Sequence, residues 1–241
     1  MRRRRDANMT LPTEVSTAGG LAYSLWLPEC DSAARGGAVI LHGAGSVKES
    51  HHDFARVLVA AGFGAIVFDQ RGHGESTGPM DDTVVDDIVA MAALLRQGLG
   101  DPQAPLALRG SSMGGYFAIV SGAAVAARAI VAICPASGEG LRRGLAAGKL
   151  PFDADPRSLD GFWAAHDIGE AVDALQAPLL LLHAEGDEVV PVEHSRELAT
   201  RLRHPSSRLI AVPGGHHRSI QHDDELQAIS LKFIAAGLAA D

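Results

Sequence analysis

Two segments of the chain match the pattern Gly-x-Ser-x-Gly, which can expose a serine hydroxyl as a nucleophile when it occupies a sharp turn between a strand and a helix. They are residues 74–78 (GESTG) and 110–114 (GSSMG). Ser76 follows a polar stretch and precedes Pro79, with no strand leading directly into it. Ser112 comes straight after the apolar residues 105–108 and leads into a segment that suits a helix. We therefore predict that Ser112 is the nucleophile and that Ser76 is not.

A serine nucleophile needs a base, and adjacent histidines offer one. His216 and His217 follow a predicted strand at 209–212 through the turn 213–215 (PGG), so they should lie at the carboxyl edge of the sheet, where open α/β folds place their sites. Because neighbouring side chains on an extended loop point apart, only one can meet Ser112. We favour His216 and keep His217 as the alternative. The non-catalytic alternative is that the two histidines are solvated or bind a metal ion.

The imidazole in turn needs a carboxylate that fixes its tautomer and stabilises the imidazolium formed during catalysis. Asp187 follows the predicted strand at 179–183 and is our candidate acid, with Glu185 and Glu188 as alternatives. A tetrahedral intermediate also needs two N–H donors for its oxyanion. The backbone amides of Met113 and Ala44 are the candidates, because Ala44 lies in a small-residue turn, 42–45 (HGAG), after another predicted strand.

The elements that must position these residues alternate between short apolar runs and amphipathic stretches, which is typical of parallel strands joined by helices. Buried strands are predicted at 38–41, 65–69, 106–108, 129–134, 179–183 and 209–212, with an alternating edge strand at 21–27. Helices are predicted around 84–95, 191–202 and 226–233. The fold class is therefore α/β, a mostly parallel central sheet with helices on both faces.

The chain has 241 residues, a size that suits a single α/β domain. We predict a frayed tail at 1–10, which contains the basic run 2–5, and one domain at 11–241. Residues 135–177 interrupt the alternation with glycine, proline, arginine and aromatic residues, and are predicted to form a small insertion.

Composition and charge narrow the classes of partner. A formal net charge of −8 disfavours a nucleic acid, and no apolar run approaches the roughly 18 residues that a membrane-spanning helix requires. No export signal is visible, and the chain has only two cysteines, Cys30 and Cys134, so we expect a cytoplasmic protein. The oligomeric state stays open.

Over residues 21–238 the chain resembles the α/β-hydrolase superfamily. The order Ser112, Asp187, histidine is that of the superfamily, and residues 69–76 (DQRGHGES) are similar to its D-x-R-G-x-G-x-S loop, which supports the site without reacting. The G-D-x-x-V-P spacing around Asp187 is similar to the acid loop of the superfamily, and the 135–177 insertion lies where members often carry a cap over the pocket.

The resemblance implies a serine hydrolase that cleaves small or medium carboxylic esters through an acyl-enzyme, with a small-molecule acyl substrate and no metal or organic cofactor. Members that displace halide or open epoxides carry aspartate where this chain has Ser112, so those reactions are disfavoured. Phe152, Phe162 and Trp163 are the candidate substrate-binding residues of the cap, although they can equally anchor it. The alternatives are a peptidase or aminoacyl hydrolase, a thioesterase, and a low-turnover ligand-binding receptor.

Overall fold

The structure, a computed structural model, describes residues 10–29 and 35–240. Cys30, the basic run 2–5 and all of the predicted tail except Thr10 lie outside the described residues. The strands are β1 (Glu14–Ala18), β2 (Leu21–Trp26), β3 (Gly37–Leu41), β4 (Gly64–Phe68), β5 (Leu106–Ser111), β6 (Ala129–Ile133), β7 (Leu179–Ala184) and β8 (Arg208–Val212).

The helices follow the strands as crossovers, as the alternating sequence predicts. They are α1 (His52–Ala60), α2 (Val84–Gly98), α3 (Met113–Val120), α4 (Gly122–Val125), α5 (Gly138–Ala146), α6 (Pro156–Ala165), α7 (Ile168–Ala174), α8 (Val192–Ala199) and α9 (Asp224–Leu238), and a 3-10 turn spans Lys48–His51. Helices α5, α6 and α7 lie in the 135–177 insertion.

The eight strands form one sheet in the order β1-β2-β4-β3-β5-β6-β7-β8. The pairs β1–β2 and β2–β4 are antiparallel and the others are parallel. This confirms the predicted fold class. The expectation of an edge strand at 21–27 is wrong: β2 is buried along its length, and the exposed β1 covers its outer side.

The parallel strands are apolar on both faces, as strands covered by helices must be. Alternate residues of each strand belong to two different hydrophobic clusters: in β3, for example, Val39 and Leu41 join one and Ala38 and Ile40 the other. Helices α2 and α3 cover the first face, and α1 and α9 cover the second. The strand ends are thereby fixed, so the loops after β3, β5, β7 and β8 meet at one edge of the sheet.

Candidate active site

Ser112 occupies the sharp turn between β5 and α3. Its backbone has φ 54° and ψ −119°, in the left-handed φ region that a residue with a side chain rarely adopts. Hydrogen bonds hold this strained conformation in place: the Ser112 N–H donates to the carbonyl of Ile133 at 2.8 Å, and its own carbonyl accepts from the N–H groups of Tyr116 and Ala136. The turn therefore presents the side chain of Ser112 at the end of the strand.

The two glycines of the motif are required by close packing of the backbone. A Cβ on Gly110 would lie 2.0 Å from the carbonyl oxygen of Gly114, and a Cβ on Gly114 would lie 2.3 Å from that of Leu41. Both distances are far below van der Waals contact. No other residue type fits this turn without moving β3 or α3, which explains the glycine spacing on which the sequence prediction depended.

Of the two adjacent histidines, His217 is the one that lies beside Asp187. Its Nδ1 lies 2.7 Å from Asp187 Oδ2, and its side chain is 12% exposed. Because a carboxylate only accepts, Nδ1 carries the hydrogen and Nε2 keeps its lone pair. Ser112 and His217 line the same cavity, of about 340 Å³. The chain thus brings a serine, a histidine and an aspartate from three separate loops together.

His216, the histidine favoured from the sequence, points elsewhere. It is exposed, and a tight turn fixes its backbone, with its N–H donating to Ser219 Oγ at 2.9 Å and its carbonyl accepting from the Ser219 N–H. Its Nδ1 accepts from the Arg218 N–H. The two neighbouring side chains diverge as expected. However, the turn directs His217, and not the favoured His216, toward Asp187.

Asp187 is fully buried at its side chain, and hydrogen bonds satisfy both of its carboxylate oxygens. Oδ1 accepts from the N–H groups of Val189 and Val190, both at 2.8 Å, while Oδ2 accepts from His217. Burial opposes ionisation, but these bonds and His183 outweigh it and hold the pKa of Asp187 well below its ordinary value. Glu185 and Glu188 are exposed; Glu188 accepts from the backbone N–H of His217 rather than from its ring.

The two residues proposed as oxyanion donors lie just beyond the ends of two neighbouring strands, β5 and β3. Met113 is the first residue of α3, where the N–H groups have no partner one turn earlier and the helix dipole favours negative charge. Ala44 lines the Ser112 cavity in the loop after β3, and β3 pairs with β5 through Leu41 and Gly110. A Cβ on the adjacent Gly43 would lie 3.2 Å from Ser112 Cβ, so the loop packs directly against the Ser112 turn.

His42 supports this loop from behind. It is fully buried, its Nδ1 lies 2.8 Å from the carbonyl of Gly43, and its Nε2 accepts from the Gln70 N–H. Burial, with the nearby His73 adding to it, lowers the pKa of His42 to about 4, so the ring is neutral near pH 7. A neutral ring can donate to one neighbour and accept from the other, which suits a bracing role.

Ser76, in the other Gly-x-Ser-x-Gly segment, is a bracing residue too. Its hydroxyl donates to the carbonyl of Asp69 at 2.5 Å and accepts from the Ala22 N–H at 2.9 Å. Asp69 in turn accepts from the backbone and the ammonium group of the buried Lys48. Ser76 therefore ties the 69–76 loop to β2.

The three aromatic residues proposed to bind substrate do not line the cavity beside Ser112. Phe162 and Trp163 are buried, and the Phe162 ring packs against Phe117 of α3. Phe152 stacks on His73 at 4.5 Å between ring centroids. These contacts pack the predicted 135–177 insertion against α3 and the 69–76 loop.

A cluster of possible metal ligands lies beside the site but is occupied by internal hydrogen bonds. Cys134, His183 and Asp187 have ligand atoms within 4.8 Å of one another. His183 Nε2 faces the carbonyl of Val190 at 2.9 Å and therefore carries a hydrogen, and burial raises the pKa of the Cys134 thiol. The Cys134 thiol and His183 Nε2 therefore carry hydrogens, which a metal ion bound at these two atoms would have to displace.

Comparison with known proteins assigns the chain to a family. The Hydrolase_4 model, described as serine aminopeptidase S33, matches residues 32–149 and 159–225. The chain is 27% identical over 252 aligned residues to a monoacylglycerol lipase of Mycolicibacterium smegmatis, covering 85% of this chain and 88% of that protein.

Solved structures share the architecture. A monoacylglycerol lipase of Paleococcus ferrophilus matches with a TM-score of 0.68 and 20% identity, over 90% of this chain and 99% of that one. The esterase PF2001 of Pyrococcus furiosus matches with a TM-score of 0.71 and 22% identity, over 98% and 94%. At these identities the likeness shows the fold alone. In the part of the chain that the structure describes, none of the helices has the length and apolarity of a membrane span. The matched family and the observed sheet together make this chain a member of the Hydrolase_4 (serine aminopeptidase S33) family and a serine hydrolase of the α/β-hydrolase fold.

Proposed function

We propose that the chain hydrolyses small or medium carboxylic esters with Ser112 as nucleophile, His217 as base and Asp187 as the acid that orients the base. The observation that carries this proposal is that Ser112 and His217 line one cavity while His217 Nδ1 lies 2.7 Å from Asp187 Oδ2. A neutral imidazole that Asp187 orients and that shares a cavity with Ser112 is suited to accept the serine proton. The assignment of the base moves from His216 to His217 on this contact.

The reaction proceeds in two steps. Ser112 Oγ attacks the ester carbonyl carbon as His217 Nε2 takes its proton, and the N–H groups of Met113 and Ala44 stabilise the oxyanion. The tetrahedral intermediate collapses, the bond to the alcohol breaks, and His217 returns the proton to the leaving oxygen. Water, activated by the same imidazole, then attacks the acyl-enzyme and releases the acid. Asp187 stays ionised and stabilises the imidazolium throughout.

Two observations support an ester substrate. The cavity volume of about 340 Å³ lies at the small end of ligand pockets, which suits a short acyl group. Two of the similar proteins are a lipase and an esterase by name. Larger cavities of about 520 and 870 Å³ lie elsewhere on the surface and include neither Ser112 nor His217.

The family description favours a second candidate, an aminopeptidase. Such an enzyme has to hold the ammonium group of a peptide N-terminus, for which a carboxylate is the natural partner. Among the described residues that line the Ser112 cavity there is no aspartate or glutamate, and Arg218 lines it. The charge of the cavity therefore supports an ester over a peptide with a free amino terminus.

A substrate panel tests the proposal. We would measure kcat/KM for p-nitrophenyl esters of increasing acyl length, for aminoacyl p-nitroanilides and for acyl-CoA thioesters, with Ser112→Ala as the control. The proposal expects the highest kcat/KM on short or medium esters and loss of turnover in the control. Faster cleavage of anilides or thioesters would move the assignment to a peptidase or thioesterase. Ligand binding without Ser112-dependent turnover would favour a receptor.

A further inference from the structure

A second histidine, His183, lies near the carboxylate of Asp187 and does not line the Ser112 cavity. It lies on β7, is fully buried, and its Nε2 is 3.4 Å from Asp187 Oδ2. Its Nδ1 lies 2.7 Å from the hydroxyl oxygen of Ser195 on α8, and Ser195 is also fully buried. Because no substrate can reach either group, this Ser-His-Asp arrangement is not a second catalytic site.

The hydrogen on His183 can be placed from its neighbours. The carbonyl of Val190, 2.9 Å from Nε2, can only accept, so Nε2 carries a hydrogen. The same nitrogen lies 3.4 Å from Asp187 Oδ2, a longer polar contact. Ser195 holds the opposite nitrogen and so fixes the orientation of the ring. His183 Nε2 is therefore a fixed donor to Val190 in the acid loop, and its hydrogen lies near the Asp187 carboxylate.

Two hydrogen bonds and one longer polar contact close a ring around the acid. The Val190 N–H donates to Asp187 Oδ1, the Val190 carbonyl accepts from His183, and His183 lies against Asp187 Oδ2. The ring locks the rotation of the carboxylate while Oδ2 faces His217. The other titratable groups near it are Cys134 at the end of β6, Glu188 in the acid loop and His194 on α8.

We propose that His183, oriented by Ser195, is a positioning residue that holds the Asp187 carboxylate in the rotamer that meets His217. The proposal rests on the proposed function only for its effect on turnover. Its direct consequence is structural: without a donor at His183 Nε2, Val190 and Asp187 lose a shared partner and the bond from Asp187 to His217 loosens. A small displacement of a catalytic group can lower the rate by about 100-fold.

Two substitutions of similar size separate positioning from packing. Glutamine at 183 can place an amide N–H near the position of Nε2, whereas methionine fills the space without a donor. We expect His183→Met to lower kcat for p-nitrophenyl acetate by about 10-fold to 100-fold with little change in KM, and His183→Gln to recover a larger part of kcat. Thermal unfolding of both variants shows how much of each effect is loss of fold.

The second readout does not need activity. In protein labelled with ¹⁵N-histidine, the His217 Nδ1–H that is hydrogen bonded to Asp187 should give a low-field proton signal, assigned by its loss in His217→Gln. We expect the signal to persist in His183→Gln and to broaden or disappear in His183→Met. Ser195→Ala keeps the His183 imidazole, so it should lower kcat and weaken the proton signal less than His183→Met does. Ser121→Ala, at another fully buried serine, is the matched control and should change neither.

The outcomes separate the two proposals. Wild-type kcat and an unchanged proton signal in His183→Met would overturn the positioning role, as would equal losses in His183→Gln and His183→Met. If His183→Met does not fold, wild-type kcat and signal in Ser195→Ala would overturn it. Full activity in Ser112→Ala would instead refute the proposed function, and the proton signal would still decide how Asp187 is held.

Discussion

The two Gly-x-Ser-x-Gly segments have the same pattern and opposite physical roles. The Ser76 hydroxyl both donates and accepts a hydrogen bond within the protein, and it lies in a loop that is tied to β2 and to Lys48. Ser112 lies in a strained turn and lines a cavity. A satisfied hydroxyl stabilises the fold, whereas one held at a cavity by a costly backbone conformation is available for chemistry. The contrast extends to the loops around them, the supporting loop at 69–76 and the loops after β5, β7 and β8 that carry the proposed catalytic residues.

The serines provide the largest contrast. Ser112→Ala removes the proposed nucleophile and should lower kcat by about a million-fold with unchanged unfolding. Ser76→Ala leaves the Ala22 N–H without its partner and should reduce the free energy of unfolding by about 1–3 kcal/mol while the folded enzyme keeps its turnover. Esterase assays and urea unfolding on both variants check this. Comparable loss of turnover in the two would remove the distinction between the loops.

The adjacent histidines provide a second comparison, within the loop that follows β8. His217→Ala should lower kcat nearly as much as Ser112→Ala, because the serine then has no base. His216→Ala removes an exposed ring and should change kcat less than a few-fold. The two variants share their backbone and differ by one position, so each is the control of the other. The reverse ranking would restore His216 as the base.

The next largest effect is expected at Asp187, the proposed acid. In Asp187→Asn the side chain keeps its size, but its amide group can present N–H to His217 and favour the wrong tautomer. We expect kcat to fall by about 10,000-fold with the fold retained, measured on the same ester and by circular dichroism. Glu185→Gln, at an exposed carboxylate that accepts from Arg196, is the control and should be close to wild type. Activity near normal in Asp187→Asn would remove the acid from the mechanism.

The supporting region should also show a dependence of stability on pH. Burial lowers the pKa of His42 to about 4 from an ordinary value of 6.5, so the unfolded chain binds a proton that the folded protein does not. Stability from this group is complete above about pH 6.5 and is lost as the pH falls to about 4, by about 3 kcal/mol. The buried His51 acts in the same direction.

Urea unfolding between pH 7 and pH 4 measures this loss. His42→Gln, which has no titrating group, should show a shallower decline than the wild type. An equal decline in both proteins would mean that His42 does not contribute to it.

Much of the sheet could be predicted because parallel strands covered on both sides are short and apolar throughout, as 38–41 and 179–183 are. The exposed β1 has no continuous apolar run, so a strand was not predicted there. Ser112 could be found because Gly110 and Gly114 are required beside it: a Cβ at either position would collide with the backbone. The choice between His216 and His217 depends on how the turn around Ser219 directs two adjacent rings, which the sequence pattern does not encode. His183 has no motif, because its role depends on contacts with Val190 and Ser195.

The most direct test of the central claim is to map covalent labelling of the native protein by a fluorophosphonate. The Oγ of an activated serine attacks phosphorus and fluoride leaves, so mass spectrometry of the digested protein identifies the serine that reacted. We predict one adduct on the peptide that contains Ser112, none on the peptide that contains Ser76, and no labelling in His217→Ala. An adduct on another serine, or ester hydrolysis that continues at full rate without any adduct on Ser112, would contradict the account.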